Sequence, residues 1–316
     1  MNTPDTAVLL MAYGTPRHPD EIEPYYTDIR RGRPPTPEAL ADLTERYAAI
    51  GGVSPLAQLT EAQRDGLQTA LDAADPGRFH VALGLKHADP KVEVAAAELA
   101  DAGFSTIVGL VLAPHYSSYS IGQYLDRTRQ GVADSGHDAD VIGVESWAVE
   151  PAFVSFLAAD LRTRLTAMRE QTGGRVRVLF TAHSLPQRII DAGDPYPDEL
   201  RSTAEAVAAE VGLVEGDDWQ IAWQSAGRTP EPWIGPDILE VIDSLGESDV
   251  ETSGVIVSAC GFVADHLEVL YDLDIEATER ARANGLAFDR TACVNDHPAI
   301  MAALADRVIA AVSAGP

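Results

Sequence analysis

The chain has 316 residues, with 23 basic and 49 acidic side chains, a formal net charge of −26, 46% hydrophobic residues and 23% charged residues. These fractions sit near the globular average, so wholesale disorder is excluded, and the length suits two domains or one large one. A chain this acidic is a poor general binder of nucleic acid or anionic lipid, because phosphate contacts need clustered cations.

Strand-like runs rich in Val, Ile and Leu recur along the chain: 6–13, 79–84, 106–112, 140–145, 175–181, 220–224, 254–258 and a weaker 286–290. Most are short continuous apolar runs, the pattern of strands buried on both faces. Helical patterns alternate with them over 61–74, 90–102, 121–134, 151–168, 197–211 and 299–312. Asp89-Pro90 predicts an N-cap followed by an N1 proline, and Glu150-Pro151 does so more weakly. The alternation predicts an α/β protein of two Rossmann-like domains, each with a four-stranded parallel sheet flanked by helices. The expected division is an N-terminal domain over 1–150 and a C-terminal domain over 151–296, with the last helix, 297–313, packing back on the first domain. Neither half carries a glycine-rich dinucleotide fingerprint or a P-loop, which points away from NAD and ATP.

Among the cations only Lys86 and Lys91 are lysine; arginine supplies the rest, which suits gripping carboxylates in a fixed geometry. Cys260 and Cys293 cannot build a disulfide framework and are too few for a four-cysteine metal or cluster site. No Lys or Arg precedes Arg17, the run 7–12 is too short for a signal-peptide core, and no stretch approaches the ~20 apolar residues of a membrane span. The expectation is a reduced, soluble, cytoplasmic protein.

Three segments carry candidate chemistry. In Thr181-Ala182-His183-Ser184-Leu185-Pro186 a histidine follows an apolar strand and precedes a proline-held turn, at the strand end where open α/β sheets bind ligands. The bland alternative is a histidine satisfying local turn carbonyls. In Gly261 to Glu276, Glu268, Asp272 and Glu276 are spaced by four and share one helix face, with or without a locally widened π-type turn. Such a row is either a solvated acidic face or, where buried, a place for a hard divalent cation. Tyr25 through Arg33, then Arg46-Tyr47, place arginines beside tyrosines on an acidic protein. Guanidinium forks suit carboxylates and aromatic faces suit flat rings, so a planar polycarboxylate satisfies both.

At these residues the chain resembles the ferrochelatase family, and most closely the coproporphyrin ferrochelatases of Gram-positive bacteria. The resemblance runs through Met11-Ala12-Tyr13-Gly14-Thr15-Pro16, Tyr26 to Gly32, Arg46 to Leu56, Gly84-Leu85-Lys86-His87, Leu112-Ala113-Pro114-His115, Ala182 to Pro186, the rigid turn Asp194 to Pro197, Trp223-Gln224-Ser225, Pro232 to Asp237 and Gly261 to Asp272. It implies a porphyrin cleft between the two domains and insertion of ferrous iron into coproporphyrin III to give coproheme. Position by position, it implies His183 and Glu268 as the catalytic and metal-site pair and Tyr13 as an axial ligand of the inserted iron. It places Arg30, Arg31, Arg46, Tyr47, Ser54 and Tyr124 along the porphyrin, and makes Asp272 and Glu276 outer acidic metal positions.

Iron is then a substrate and no cofactor is permanently bound. A [2Fe–2S] cluster, held in some relatives by one internal and three C-terminal cysteines, is not expected here. The polar stretch 28–33, where membrane-associated relatives carry an apolar lip, favours an anionic, soluble porphyrin and no membrane insertion. A monomer is expected, in transient contact at most with neighbouring heme-pathway enzymes. The rival readings are a porphyrin or heme carrier without turnover, and a chelatase preferring protoporphyrin IX or another divalent metal.

Overall fold

The computed structural model describes residues 5–227, 229–247 and 252–315. Among these residues, eight strands form two four-stranded sheets, each wholly parallel: β1 (Thr6–Ala12), β2 (Phe79–Leu85), β3 (Thr106–Val111) and β4 (Asp140–Val144) in the order β2-β1-β3-β4, and β5 (Arg175–His183), β6 (Trp219–Gln224), β7 (Thr252–Ser258) and β8 (Ala287–Arg290) in the order β6-β5-β7-β8. All eight coincide with the apolar runs read from sequence. Every residue of β1 is buried, as expected for a central strand covered on both faces.

The chain divides into two compact units, Met1–Trp147 with Ala264–His266 and Asn295–Pro316, and Ala148–Val263 with Leu267–Val294. In the first, the helices are α1 (Ile22–Ile29), α2 (Pro37–Ala49), α3 (Leu56–Ala74), α4 (Val92–Asp101) and α5 (Gln123–Ser135), with the last helix of the chain, α12 (Pro298–Ala314), packed on α3. Residues 264–266 join this unit through Asn295: its amide donates to the Asp265 carboxylate, its own Oδ1 accepts the Asp265 N–H, and its carbonyl accepts from Gln63. Helices α4 and α5 pack so closely that a methyl group on Gly131 would collide with the Glu93 carbonyl. The second unit carries α6 (Pro151–Thr172), α7 (Gln187–Asp191), α8 (Tyr196–Val211), α9 (Ile238–Glu247), α10 (Leu267–Leu270) and α11 (Thr278–Ala283).

Two helix starts test the capping expectations. Helix α6 begins at Pro151 after Glu150, as anticipated. Helix α4 does not begin at Pro90; its first residue is Val92 and its N-cap is Lys91. The reason is strand pairing: Leu85 donates to the Pro90 carbonyl at 2.7 Å and Lys91 bridges Leu85, so 90–91 are held extended beside the end of β2. Among the described residues no helix is long and apolar enough to cross a membrane.

Candidate active site

In the second unit, β5 runs almost wholly buried from Val176 to Ala182 and delivers His183 at its carboxyl end, half-exposed. The turn beyond it is fixed from below. Ser184 donates its hydroxyl to the Ile234 carbonyl at 2.7 Å, Ile234 N–H donates to the Leu185 carbonyl, and Pro186 bridges Trp233. The Tyr196 hydroxyl, from the Asp194-Pro195-Tyr196-Pro197 turn, donates to the His183 carbonyl at 3.1 Å. Burial, reinforced by nearby Glu268, pushes the Tyr196 phenol well above its ordinary pKa, so it stays a neutral donor.

The imidazole tautomer follows from its partners. Nδ1 lies 2.5 Å from the Ser184 carbonyl oxygen, which can only accept, so the proton sits on Nδ1. In the neutral ring Nε2 then carries the lone pair, and it faces Glu268 Oε1 at 3.8 Å. A lone pair opposite a carboxylate is a place for a proton or a metal cation, because only a positive charge satisfies both. Glu268 comes from the short helix α10, and the loop before it packs so closely on β5 that a methyl group on Gly261 would collide with Ala182.

Helix α10 passes into a π-turn over Asp272–Ala277, in which Glu276 N–H reaches back five residues to the Tyr271 carbonyl. The acidic row therefore does carry the widened turn. Its order of depth differs from the expected one. Asp272, taken from the sequence as an outer position, is only 6% exposed and accepts a 2.5 Å hydrogen bond from Ser225, whereas Glu268 is half-exposed and Glu276 exposed. Equal spacing puts three residues on one face but says nothing of which end is covered; here Asp272 is the covered one. Asp274, between them, pairs with Arg290 through both oxygens at 2.6 and 2.9 Å. Among the described residues no group of three or more His, Cys, Asp or Glu is placed to hold a metal, so the structure gathers His183 with Glu268 and leaves Asp272 and Glu276 out of that set.

In the first unit Tyr13 is the residue just past β1 and is 42% exposed. Its ring lies 4.6 Å from the His87 ring. His87 donates to Asp28 at 2.7 Å, yet burial outweighs that bond and holds its pKa down to about 4. Lys86, with Nζ 5.3 Å from the Tyr124 ring and 3.0 Å from Gln123, is brought down to about 8 by burial and by Arg127 and Arg31. Arg30 lies over Tyr26 at 5.7 Å and is exposed, as is Arg31; Arg46 is half-exposed. Tyr47, Ser54 and Tyr124 are almost wholly buried, and Tyr47 exchanges a hydrogen bond with Thr15.

Sequence reasoning gave no site role to Lys86, His87 and Asp28, which cluster about Tyr13 and Tyr124, or to Tyr196 and Gln224, which hold the backbone of His183 and Glu268. For Lys86 a signal existed: it is one of two lysines in an arginine-rich set and ends an apolar strand. Both cysteines are buried, and burial drives the Cys260 pKa up to about 12, which leaves it unreactive.

The ferrochelatase family description matches residues 5–312. The chain is 43% identical to the coproporphyrin III ferrochelatase of Geobacillus kaustophilus, over 96% of its own length and 94% of that protein. It is 44% identical to the coproporphyrin III ferrochelatase of Bacillus pumilus, over 96% of each. Identity to a ferrochelatase of Herpetosiphon aurantiacus is 42%, over 94% of this chain and 95% of that one. Among solved structures, SirB from Bacillus subtilis with Fe3+ superposes with a TM-score of 0.55 at 14% identity over 98% of each chain. CbiX, a terminal enzyme of siroheme biosynthesis in denitrifying bacteria, gives 0.52 at 12%, over 97% of this chain and 99% of that one. At such low identity these two speak for the two-sheet fold alone.

Proposed function

The chain belongs to the ferrochelatase family, and from that premise we propose that it is an enzyme that inserts ferrous iron into coproporphyrin III. The observation that carries the reading is the identity of 42–44% over nearly the whole chain to proteins named coproporphyrin III ferrochelatase. The His183–Glu268 pair supports it with the required chemistry.

A free porphyrin holds two N–H protons in the hole that the metal must fill. An enzyme must bend the ring so that lone pairs tilt outward, accept the protons and deliver a partly dehydrated cation; binding energy at the ring edge can be spent on that bend. We assign proton acceptance to His183 Nε2, whose lone pair is already exposed by the Nδ1 bond to Ser184. Glu268, 3.8 Å away, stabilises the imidazolium that forms and relays the metal. Tyr13, exposed beside His87, is the axial partner for the product iron. Arg30, Arg31 and Arg46 take the porphyrin carboxylates, and Asp272 and Glu276 supply negative potential behind the metal pair. Iron enters as a substrate, and the proposed reaction uses no resident cofactor. The reading also takes the protein to act in the cytoplasm as a monomer.

Anaerobic incubation with Fe2+ and coproporphyrin III, followed by absorbance, tests the proposal. Multiple turnovers to the metallated spectrum are expected, with kcat/KM well above that for protoporphyrin IX. Stoichiometric binding without turnover would make the protein a carrier, and equal rates on protoporphyrin IX would remove the substrate assignment.

A further inference from the structure

Gln224 reaches both members of the metal pair, and we infer that it is a positioning residue for metal insertion, a strut that sets the gap between His183 and Glu268. This rests on the metal-insertion reading above. Gln224 closes β6 and is 1% exposed. Its backbone lies in register with His183, and its carbonyl accepts the Ser184 N–H at 2.8 Å. It thereby fixes the residue whose own carbonyl holds His183 Nδ1.

The side chain turns the other way. Its Nε2 lies 3.1 Å from the Glu268 main-chain carbonyl, and its Oε1 lies 2.9 Å from Thr181 Oγ1. A carbonyl only accepts, so the amide NH2 must face Glu268 and the amide oxygen must face Thr181, whose hydroxyl donates. Thr181 is itself wholly buried in β5, two residues before His183. The result is one continuous line, Thr181 hydroxyl to Gln224 amide to Glu268 carbonyl, that begins and ends on the two segments bearing the metal pair.

Such a strut is needed because α10 has only four residues. A single helical turn does not hold its own place; tertiary contacts must. A misplacement of about 1 Å in a reacting group can cost on the order of 10²-fold in rate. Gln224 touches neither reacting atom, so its loss should act on geometry and leave the porphyrin contacts alone.

Gln224→Met keeps length and removes both hydrogen bonds; Thr181→Val keeps shape and removes the hydroxyl that orients the amide. Two readouts are taken for each: steady-state Fe2+ insertion into coproporphyrin III, and binding of Zn2+ alone to the porphyrin-free protein by calorimetry. For Gln224→Met the expected result is kcat lowered by about 10-fold or more, KM for porphyrin within about twofold, and Zn2+ affinity weakened about tenfold. Thr181→Val should give a smaller loss in the same two quantities. The double variant should be no worse than Gln224→Met, because Thr181 acts through Gln224. Unchanged kcat and Zn2+ affinity in Gln224→Met, or simple addition of the two effects, overturns the inference. Should Gln224→Met fail to fold, Thr181→Val decides alone: no change in either quantity overturns it. Absence of turnover by the unaltered protein would instead defeat the functional reading, while the Zn2+ arm still tests the strut.

Discussion

His183 Nε2 and Glu268 Oε1 face each other at 3.8 Å, with the proton of the imidazole committed to Ser184 on the far side. Two acceptors in that arrangement repel until a proton or a cation stands between them. The two residues can be tested separately. His183→Ala removes the acceptor and should abolish metallation, with porphyrin affinity and thermal midpoint close to those of the unaltered protein, since a half-exposed strand-end side chain adds little to the core. Glu268→Gln should fall by about 10²-fold or more in kcat, because its amide can donate to Nε2 and occupy the lone pair. Normal turnover by His183→Ala would return that residue to a turn histidine.

Ser225 gives a prediction about stability whose sign is informative. Its backbone is left-handed, φ 59°, and its hydroxyl donates to buried Asp272 at 2.5 Å. Ser225→Ala forfeits that bond and keeps the strained backbone, and should cost about 1–3 kcal/mol. Ser225→Gly forfeits the same bond but relieves a left-handed conformation that costs an L-residue roughly 1–2 kcal/mol. The glycine variant should therefore melt above the alanine variant. Denaturant titration of both decides, and the reverse order would mean that the left-handed backbone at this position carries no strain that glycine relieves.

Much of the fold was legible because parallel strands covered on both faces must be continuous apolar runs, so even the weak 286–290 segment was found as β8. Helices α1 and α2 escaped because their apolar residues are few and mixed with charge; what marked α1 was the tyrosine and arginine content of its end. The start of α4 was misread because a local signal, Asp89-Pro90, lost to a pairing with β2 that no spacing records. The site divides in the same way. His183 stood out at a strand end, whereas Gln224, Tyr196 and Lys86 matter through partners 13 to 44 residues away. The burial of Asp272 depends on Ser225 from another strand end, a fact absent from the four-residue spacing.

Acid should weaken the first unit through its histidines. Burial holds His87 down to about 4 and His115 to about 3, against 6.5 for a free imidazole. Between these values the unfolded chain binds protons that the folded chain refuses, so stability is full above about pH 6.5 and is lost as pH falls toward 4. The slope approaches about 1.4 kcal/mol per pH unit for each such histidine within that window. Asp28, whose hydrogen bonds and charge contacts with His87 and Lys91 outweigh its burial, has its pKa lowered and acts in the same direction at lower pH. Urea midpoints from pH 7 to pH 5 should fall for the unaltered protein and fall less steeply for His87→Asn. Parallel slopes would show that His87 titrates normally in the fold.

Arg31 holds a left-handed backbone, φ 58°, at the exposed end of α1, where glycine would sit without strain. Gly32, the next residue, is also left-handed, at φ 80°. Keeping a long cation at such a position costs stability, and strain of this kind persists at functional sites. The guanidinium lies close enough to Lys86 to depress it, so the two cations together form a positive spot on a strongly acidic chain. Coproporphyrin III carries four carboxylates and protoporphyrin IX two, so a cation serving the additional carboxylates should matter for one substrate and not the other. Arg31→Gly should leave the thermal midpoint unchanged or raise it, while KM for coproporphyrin III rises about tenfold and that for protoporphyrin IX stays within about twofold; one charge-assisted hydrogen bond is worth roughly that factor. Equal changes for both porphyrins would mean that Arg31 serves a carboxylate common to them, and a drop in midpoint would mean that its side chain supports the fold.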